Sequence, residues 1–432
     1  MTPLRIAIVG PLNKTSAIAT SGVRIATELA HRGHHLTMIR SEVGEPALSE
    51  PREVPFEIAT LRNMSDEQMY YQYDVVIAQF GDHYPYHGAL MNRLQSTSMV
   101  GILHDATIPN LVINWAVDEA KNDDLAIRRV AEIGAELYGH DATRDIHWTD
   151  PLSYATKFPM LELVSSYLHG AVVHAGHYYD RVAITTQGPV EIIPLVADDL
   201  LLPEMPTARP GQITVGVIGN VNPNKRIDQL LIAVGASQQL RKSVQVKIVG
   251  HVEPETARHL RAMANALGIA PPIFTGWVED EQMSAELTDI DVVCCLRFPV
   301  LKGASASLVL ALRSGRPTLV SRHGSYAETP ENMALFCEPG NEARDVLLHL
   351  ESLLADPEHG QEMGDRARDW ATRRHSVESY VDQLETFLYE YSRLRPILDA
   401  RRVMTDIFGQ VGLNRDDPAV IRGHAALAQI VG

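Results

Sequence analysis

The chain has 432 residues, more than one hydrophobic core normally organises, so two domains of roughly 200 residues each are expected. Its 45% hydrophobic and 21% charged residues are ordinary for a globular protein and exclude a chain dominated by disorder. A formal net charge of -16, from 54 acidic against 38 basic residues, disfavours nucleic acid or an anionic lipid surface as a general partner.

Only three cysteines are present, Cys294, Cys295 and Cys337, which cannot build a disulfide framework and point to a reducing cytoplasm. The opening MTPLRIAIVGPLNK has one Arg before a short apolar stretch and no small-residue cleavage site, so it reads as a first strand and not as a secretory leader. No run of 18 apolar residues occurs, and no membrane-spanning helix is expected. A membrane-linked acceptor would have to be met at the surface, and a homo-oligomer is compatible with this composition.

Taken in chain order, apolar segments at residues 5–9, 36–39, 74–79, 99–103 and 171–174 predict strands with helices between them. A second set, at 213–218, 244–249, 272–275, 291–296 and 317–320, follows the proline-rich stretch LLPEMPTARPGQ. Strand–helix alternation predicts parallel sheets, and each half opens on an apolar strand ending in glycine, IAIVG and VGVIG. The expected organisation is α/β: two Rossmann-like domains facing a central cleft, with a C-terminal helical appendage. The boundaries are an N-terminal domain at 1–197, a linker at 198–211 and a C-terminal domain at 212–375. A helix at 376–398 would cross back to the first domain, and a helical tail occupies 399–432.

The loops after these strands carry the candidate chemistry. In GPLNKTSAIATSGVRIATELAHRG, Gly22 is expected at a helix entrance, where free amides meet a hydroxyl or anion, or where glycine permits close packing. The tight GxGxxG spacing is missing, which counts against a nicotinamide-dependent dehydrogenase. After the next strands come Asp82, His83 and His87, then His104 and Asp105. His104 either donates a hydrogen bond to a sugar hydroxyl, or partly shields charge developing at a reaction centre, or is held in a turn by its neighbour. His83 and His87, four apart, could share a metal on a helix, but Pro85 argues against a helix there and no metal site is expected.

In the second half, VGVIGNVNPNKRIDQLLIAV places Asn220, Lys225 and Arg226 between a strand and a helix that starts near Ile227. Two adjacent cations there suit a diphosphate, Lys as a point charge and Arg as a fork, or are merely solvated. The stretch CCLRFPVLKGASASLVLALRSGRPTLVS sets Gly303, Ala304, Ser305, Ala306 and Ser307 before an apolar helix. Small residues and free amides suit phosphate oxygens, and a plain Ser-capped helix gives the same pattern.

Taken together, NVNPNKRIDQLL, ALRSGRPTLVS, QFGDHYPYH, ILHDAT and AVVHAGHYYDRV resemble the GT-B glycosyltransferases, specifically a bacterial branch of the retaining group classed as family four, over about residues 4 to 395. The resemblance implies a metal-independent hexosyltransferase with no cofactor. Its co-substrate would be a nucleotide-diphosphate sugar, and its acceptor a saccharide, lipid-linked saccharide or small molecule. It implies that Lys225 binds the donor diphosphate, that His104 faces the donor sugar and that Gly22 lines the cleft. The backbone of Gly303, Ala304, Ser305, Ala306 and Ser307 would approach sugar and phosphate, and Trp277 would hold the nucleobase or else cover the edge of the core. Asn220 stands where relatives often carry an arginine, so Arg226 is expected to supply the second cation. The two glutamates of relatives, one associated with the sugar and one with ribose, fall on Lys302 and Leu310; Lys302 would then bind a phosphate or an acidic sugar of the donor, or cap a solvent-exposed loop. That departure keeps open a weakened GT-B module that binds a sugar nucleotide or glycan and supports a partner enzyme. A sugar-nucleotide epimerase is a further alternative, one that does not account for the order of the C-domain loops.

Overall fold

The computed structural model describes residues 2–120, 122–140, 151–197, 202, 211–413 and 417–423. Most of the expected linker at 198–211, and residues 414–416 and 424–432 of the expected tail, lie outside the described residues. The chain divides into two compact units, Met1–Ile193 with Tyr380–Gly432, and Pro194–Ser379.

The first unit is built on a seven-stranded sheet. Its strands are β1 (Arg5–Gly10), β2 (His35–Arg40), β3 (Glu57–Thr60), β4 (Val75–Phe80), β5 (Val100–Leu103), β6 (Gly170–Val173) and β7 (Val190–Ile192), in the order β3-β2-β1-β4-β5-β6-β7. Every pairing is parallel. All six residues of β4 are buried, as are all four of β5 and of β6. Such strands, covered by helices on both faces, read as unbroken apolar runs. The order reverses between β1 and β4, which makes their carboxyl ends the natural ligand crevice of this unit.

The second unit repeats the plan with β8 (Ile213–Ile218), β9 (Val244–Val249), β10 (Ile273–Gly276), β11 (Val292–Cys295), β12 (Thr318–Ser321) and β13 (Leu335–Cys337). The order is β10-β9-β8-β11-β12-β13, again wholly parallel, with its switch point between β8 and β11. Both units are therefore Rossmann-like.

Two local expectations change. The first helix, Ala17–His31, starts where the Ser16 side chain accepts a hydrogen bond from the Ala19 amide, so Gly22 is the sixth residue of the helix and not its entrance. A helix does form at Tyr84–Met91, because Pro85 falls in its first turn, where no amide hydrogen is required.

The C-terminal helix runs from Val377 to Gln410, with Pro396 inside it, so residues 399–410 continue one helix. From Tyr380 onward it packs on the first unit through Val381, Leu384, Phe387, Leu388 and Tyr391, all buried. Its polar face is fixed as well: Arg32 pairs with Asp382 at 2.6 Å and Glu385 at 3.2 Å, and Arg395 donates to the carbonyls of Tyr73 and Asp74 at 2.7 Å each. No helix among the described residues is long and apolar enough to cross a membrane.

Candidate functional site

In the second unit, the carboxyl ends of β8, β11 and β12 bring three loops together. Gly219 follows β8 in a left-handed conformation, with φ of +86°, that favours glycine. A Cβ atom on it would lie 3.1 Å from Lys225 Nζ and 3.1 Å from Ser307 Oγ. The loop after β8 and the start of the helix Ala306–Arg313 thus converge on the Gly219 backbone.

Lys225 ends a short turn, Pro223–Lys225, and its side chain is buried. Its ammonium donates a hydrogen bond to the Ile218 carbonyl at the end of β8. Burial foremost, then repulsion from Arg297 and Lys302, pushes its pKa down to about 7. Burial also raises the neighbouring thiols, Cys294 to about 12 and Cys295 to about 11.

Arg226 does not stand beside Lys225 as a second free cation. Its backbone is left-handed, with φ of 53°, and its Nε donates to Glu342 Oε1 at 3.2 Å. Glu342 is buried and its other oxygen accepts from the Gly340 amide at 2.8 Å, so the Arg226 charge is matched within the protein. The cation that acts most on Lys225 is Arg297, two residues beyond β11. One guanidinium nitrogen of Arg297 donates to Asn222 Oδ1 at 2.9 Å and Asn224 Oδ1 at 2.6 Å, and its Nε donates to the Tyr326 hydroxyl at 3.4 Å. These partners are neutral and leave the positive charge uncompensated while they fix the fork in place.

Gly303 is buried, and Ser305 caps the helix Ala306–Arg313 by accepting from the Leu308 amide at 3.2 Å. Ala304 and Ser307 are half-buried, and Ala306 is exposed. Lys302 is exposed, and Leu310 packs against the core beneath. Asn220 is exposed in the loop after β8. Trp277 follows the edge strand β10, is 62% exposed and donates through Nε1 to Glu279 at 3.2 Å. β10 lies two strands from β8, so Trp277 belongs to a different part of the sheet rim from Lys225 and Arg297.

In the first unit, Gln79 on β4 and His104 after β5 occupy the corresponding end of the sheet. His104 Nε2 is 3.2 Å from Gln79 Oε1, and its Nδ1 is 3.1 Å from His174 Nε2. His174 is buried, which pushes its pKa down to about 4, and its Nδ1 donates to the Ile193 carbonyl at 2.9 Å. A neutral His174 protonated on Nδ1 presents a lone pair at Nε2, so His104 must donate from Nδ1. Both ring nitrogens of His104 therefore face protein partners. Gly22 is explained by the same cluster: a methyl group on it would overlap the Gln79 amide, which also lies against Gly10.

His87 is likewise buried, with Nδ1 donating to the Gln79 carbonyl at 2.9 Å and its pKa pushed down to about 3 by burial. His83 precedes the helix Tyr84–Met91 without a side-chain capping hydrogen bond and lies edge-on to Tyr86. Asp105 Oδ2 accepts from the Asp82 amide at 2.8 Å, which ties the loops after β4 and β5. Sequence reasoning singled out Lys225 and His104 but not Arg297, Gln79, His174 or Glu342. Arg297 had a visible signal, a cation directly after a buried strand; the others stand out only once their partners are known.

Comparison with known proteins follows this geometry. Residues 203–370 match the family model described as "Glycosyl transferases group 1", a span that contains Lys225, Trp277, Arg297 and Gly303–Ser307. No curated protein matches the chain in sequence. Among solved structures, a sucrose-phosphate synthase (tll1590) from Thermosynechococcus elongatus superposes with a TM-score of 0.60 at 13% identity, covering 89% of this chain and 98% of that one. The Anabaena protein Alr3699/HepE, solved in complex with UDP and glucose, gives 0.58 at 15% identity, covering 90% and 100%. A glycosyltransferase from Rickettsia africae ESF-5 gives 0.59 at 10% identity, covering 90% and 99%. The chain has the GT-B fold, and its second unit contains the segment that matches the glycosyl transferases group 1 model.

Proposed function

We propose that this chain transfers a hexosyl group from a nucleoside-diphosphate sugar to an acceptor hydroxyl, with retention at the anomeric carbon and without a metal ion. The observation that carries this reading is the convergence of Lys225 and Ser307 on the Gly219 backbone, with Arg297 bonded to Asn222 and Asn224 of the same loop, at the switch point of a unit that contains the segment matching the glycosyl transferases group 1 model. In the transfer, the bond from the anomeric carbon to the phosphate oxygen breaks and the acceptor oxygen bonds to that carbon. The hydroxyl proton passes to the departing diphosphate. Negative charge grows on that diphosphate, where Lys225 and Arg297 stabilise it without a metal. The amides of Gly303–Ser307 extend the same cradle. Uridine is the first base to test, because Alr3699/HepE, which shares the fold, was solved with UDP.

The test is to incubate the purified protein with sugar nucleotides and an acceptor panel, to measure release of nucleoside diphosphate and to determine the anomeric configuration of the product. Acceptor-dependent release that survives EDTA and keeps the donor's configuration supports the reading. Epimerised sugar nucleotide formed without acceptor contradicts it. One feature favours a second reading, a sugar-nucleotide-binding subunit that supports a partner enzyme. His104 Nδ1 is committed to His174, and its Nε2 lies 3.2 Å from the Gln79 side chain. Tight binding without turnover against every acceptor would select that alternative.

A further inference from the structure

We propose that Asn224 is a positioning residue for donor binding: its neutral amide locks the loop that carries Lys225 to the loop that carries Arg297 and leaves both charges to a diphosphate. This rests on the reading of the site as a sugar-nucleotide site and adds the residue that assembles it. Asn224 engages the loop after β11 at three points. Its Oδ1 accepts from the Arg297 guanidinium at 2.6 Å, its carbonyl accepts from the Phe298 amide at 2.8 Å, and its Nδ2 donates to the Pro299 carbonyl at 3.2 Å. One asparagine thus holds three consecutive residues of that loop, and the residue that follows it is Lys225. Asn222 gives the same Arg297 nitrogen a second acceptor at 2.9 Å, and the Arg297 amide donates to Ser321 Oγ, at the end of β12, at 2.8 Å.

The bridge does two things. Lys225 and Arg297 repel each other, and a long cationic side chain left free turns to another partner, as Arg226 turns to Glu342. Asn224 fixes Arg297 beside the Lys225 loop before any ligand arrives, so the cost of ordering the pair does not oppose diphosphate binding. It also does this without charge. Arg297 only donates and the Pro299 carbonyl only accepts, so the amide faces Arg297 with its oxygen and Pro299 with its nitrogen. An aspartate would accept from Arg297 as well, but it would neutralise the guanidinium and lose the donor to Pro299. The charged alternative stands in the next residue but one, where the Arg226 guanidinium is paired with the Glu342 carboxylate at 3.2 Å.

The experiment titrates nucleoside diphosphates and their monophosphates calorimetrically into the full chain, UDP with UMP, GDP with GMP and ADP with AMP, and reads the diphosphate-to-monophosphate affinity ratio of the pair that binds. Asn224→Asp keeps the acceptor for Arg297 and adds a counter-charge, so it is expected to lower that ratio by at least about tenfold, the worth of one charge-assisted hydrogen bond. Asn224→Ala removes the bridge without adding charge and is expected to lower it by about threefold to fivefold, the worth of ordering one long side chain. A role confined to holding the loops together predicts the opposite order, with alanine the more damaging. Thermal melting confirms that each variant folds, and Asn222→Asp, which brings the same charge to the same guanidinium nitrogen, takes the place of Asn224→Asp if that variant does not. A smaller drop than about tenfold in a folded Asp variant, or a larger drop with Asn224→Ala than with Asp, overturns the inference and leaves the sugar-nucleotide reading standing. Absence of binding to the parent in every pair removes both.

Discussion

Arg297 and Lys225 reach the same rim from different strands, and Arg297 is the charge that depresses Lys225 most. Arg226, adjacent to Lys225 in sequence, is turned away to the buried carboxylate of Glu342. Sequence adjacency and spatial pairing part company here. The left-handed backbone at Arg226 separates the end of the turn Pro223–Lys225 from the start of the helix Ile227–Ala236 and sends the two neighbouring side chains to different partners.

The two arginines should therefore behave differently. Arg297→Ala is expected to weaken donor binding by about one to two powers of ten, the worth of a charge-assisted fork on phosphate. Arg226→Ala should leave donor affinity within about threefold, yet lower unfolding stability by about 1–3 kcal/mol because Glu342 loses its counter-charge. Calorimetry and urea denaturation on both variants check this.

Donor binding should also depend on pH through Lys225. Its free-state pKa of about 7 rises when a diphosphate approaches, so binding takes up a proton above that pH. Affinity is complete below pH 7 and falls as pH rises through 8 and 9, by up to about tenfold per unit. Lys225→Arg, whose charge does not titrate in this range, should flatten the profile. The diphosphate diester of a sugar nucleotide keeps its charge over this range, so the slope belongs to the protein.

Gly22 gives a stability prediction. Gly22→Ala forces a methyl group into the Gln79 amide and should cost about 1–3 kcal/mol. Introduced into Gln79→Ala, the same change should be neutral or stabilising by up to ~1 kcal/mol, the usual helix preference for alanine over glycine. A double-mutant cycle in urea separates the two outcomes.

Acid should destabilise the first unit. His87 and His174 are buried neutral, with pKa values of about 3 and about 4 that lie below the usual 6.5. The unfolded chain binds more protons between those values, so the stability they confer is present above pH 6.5 and is lost as pH falls toward 4. Each should contribute roughly 2 kcal/mol less at pH 5 than at pH 7. Denaturant titrations at the two pH values, on the parent and on His174→Asn, measure the share of His174.

Most of the fold was legible because the central strands are apolar runs buried on both faces: β1, β4, β8 and β9 stand out without any context. The edge strands β3, β7 and β13 were not, since Glu57–Thr60 and Val190–Ile192 have no buried residue and Leu335–Cys337 is only three residues long. The strand–loop–helix setting of Lys225 was legible from pattern alone. The pairing of Arg226 with Glu342 was not, because spacing does not encode a left-handed backbone, and neither was the setting of Arg297, whose partners come from two other loops. His174 and Gln79 gain meaning only through His104, which neither adjoins in sequence.

The most direct test of the central claim is a structure of the protein with a uridine-diphosphate sugar bound. The account predicts diphosphate oxygens within hydrogen-bonding distance of Lys225 Nζ and the Arg297 guanidinium, with the amides of Gly303–Ser307 beside them. A diphosphate held by Arg226, or seated away from both Lys225 and Arg297, would contradict it.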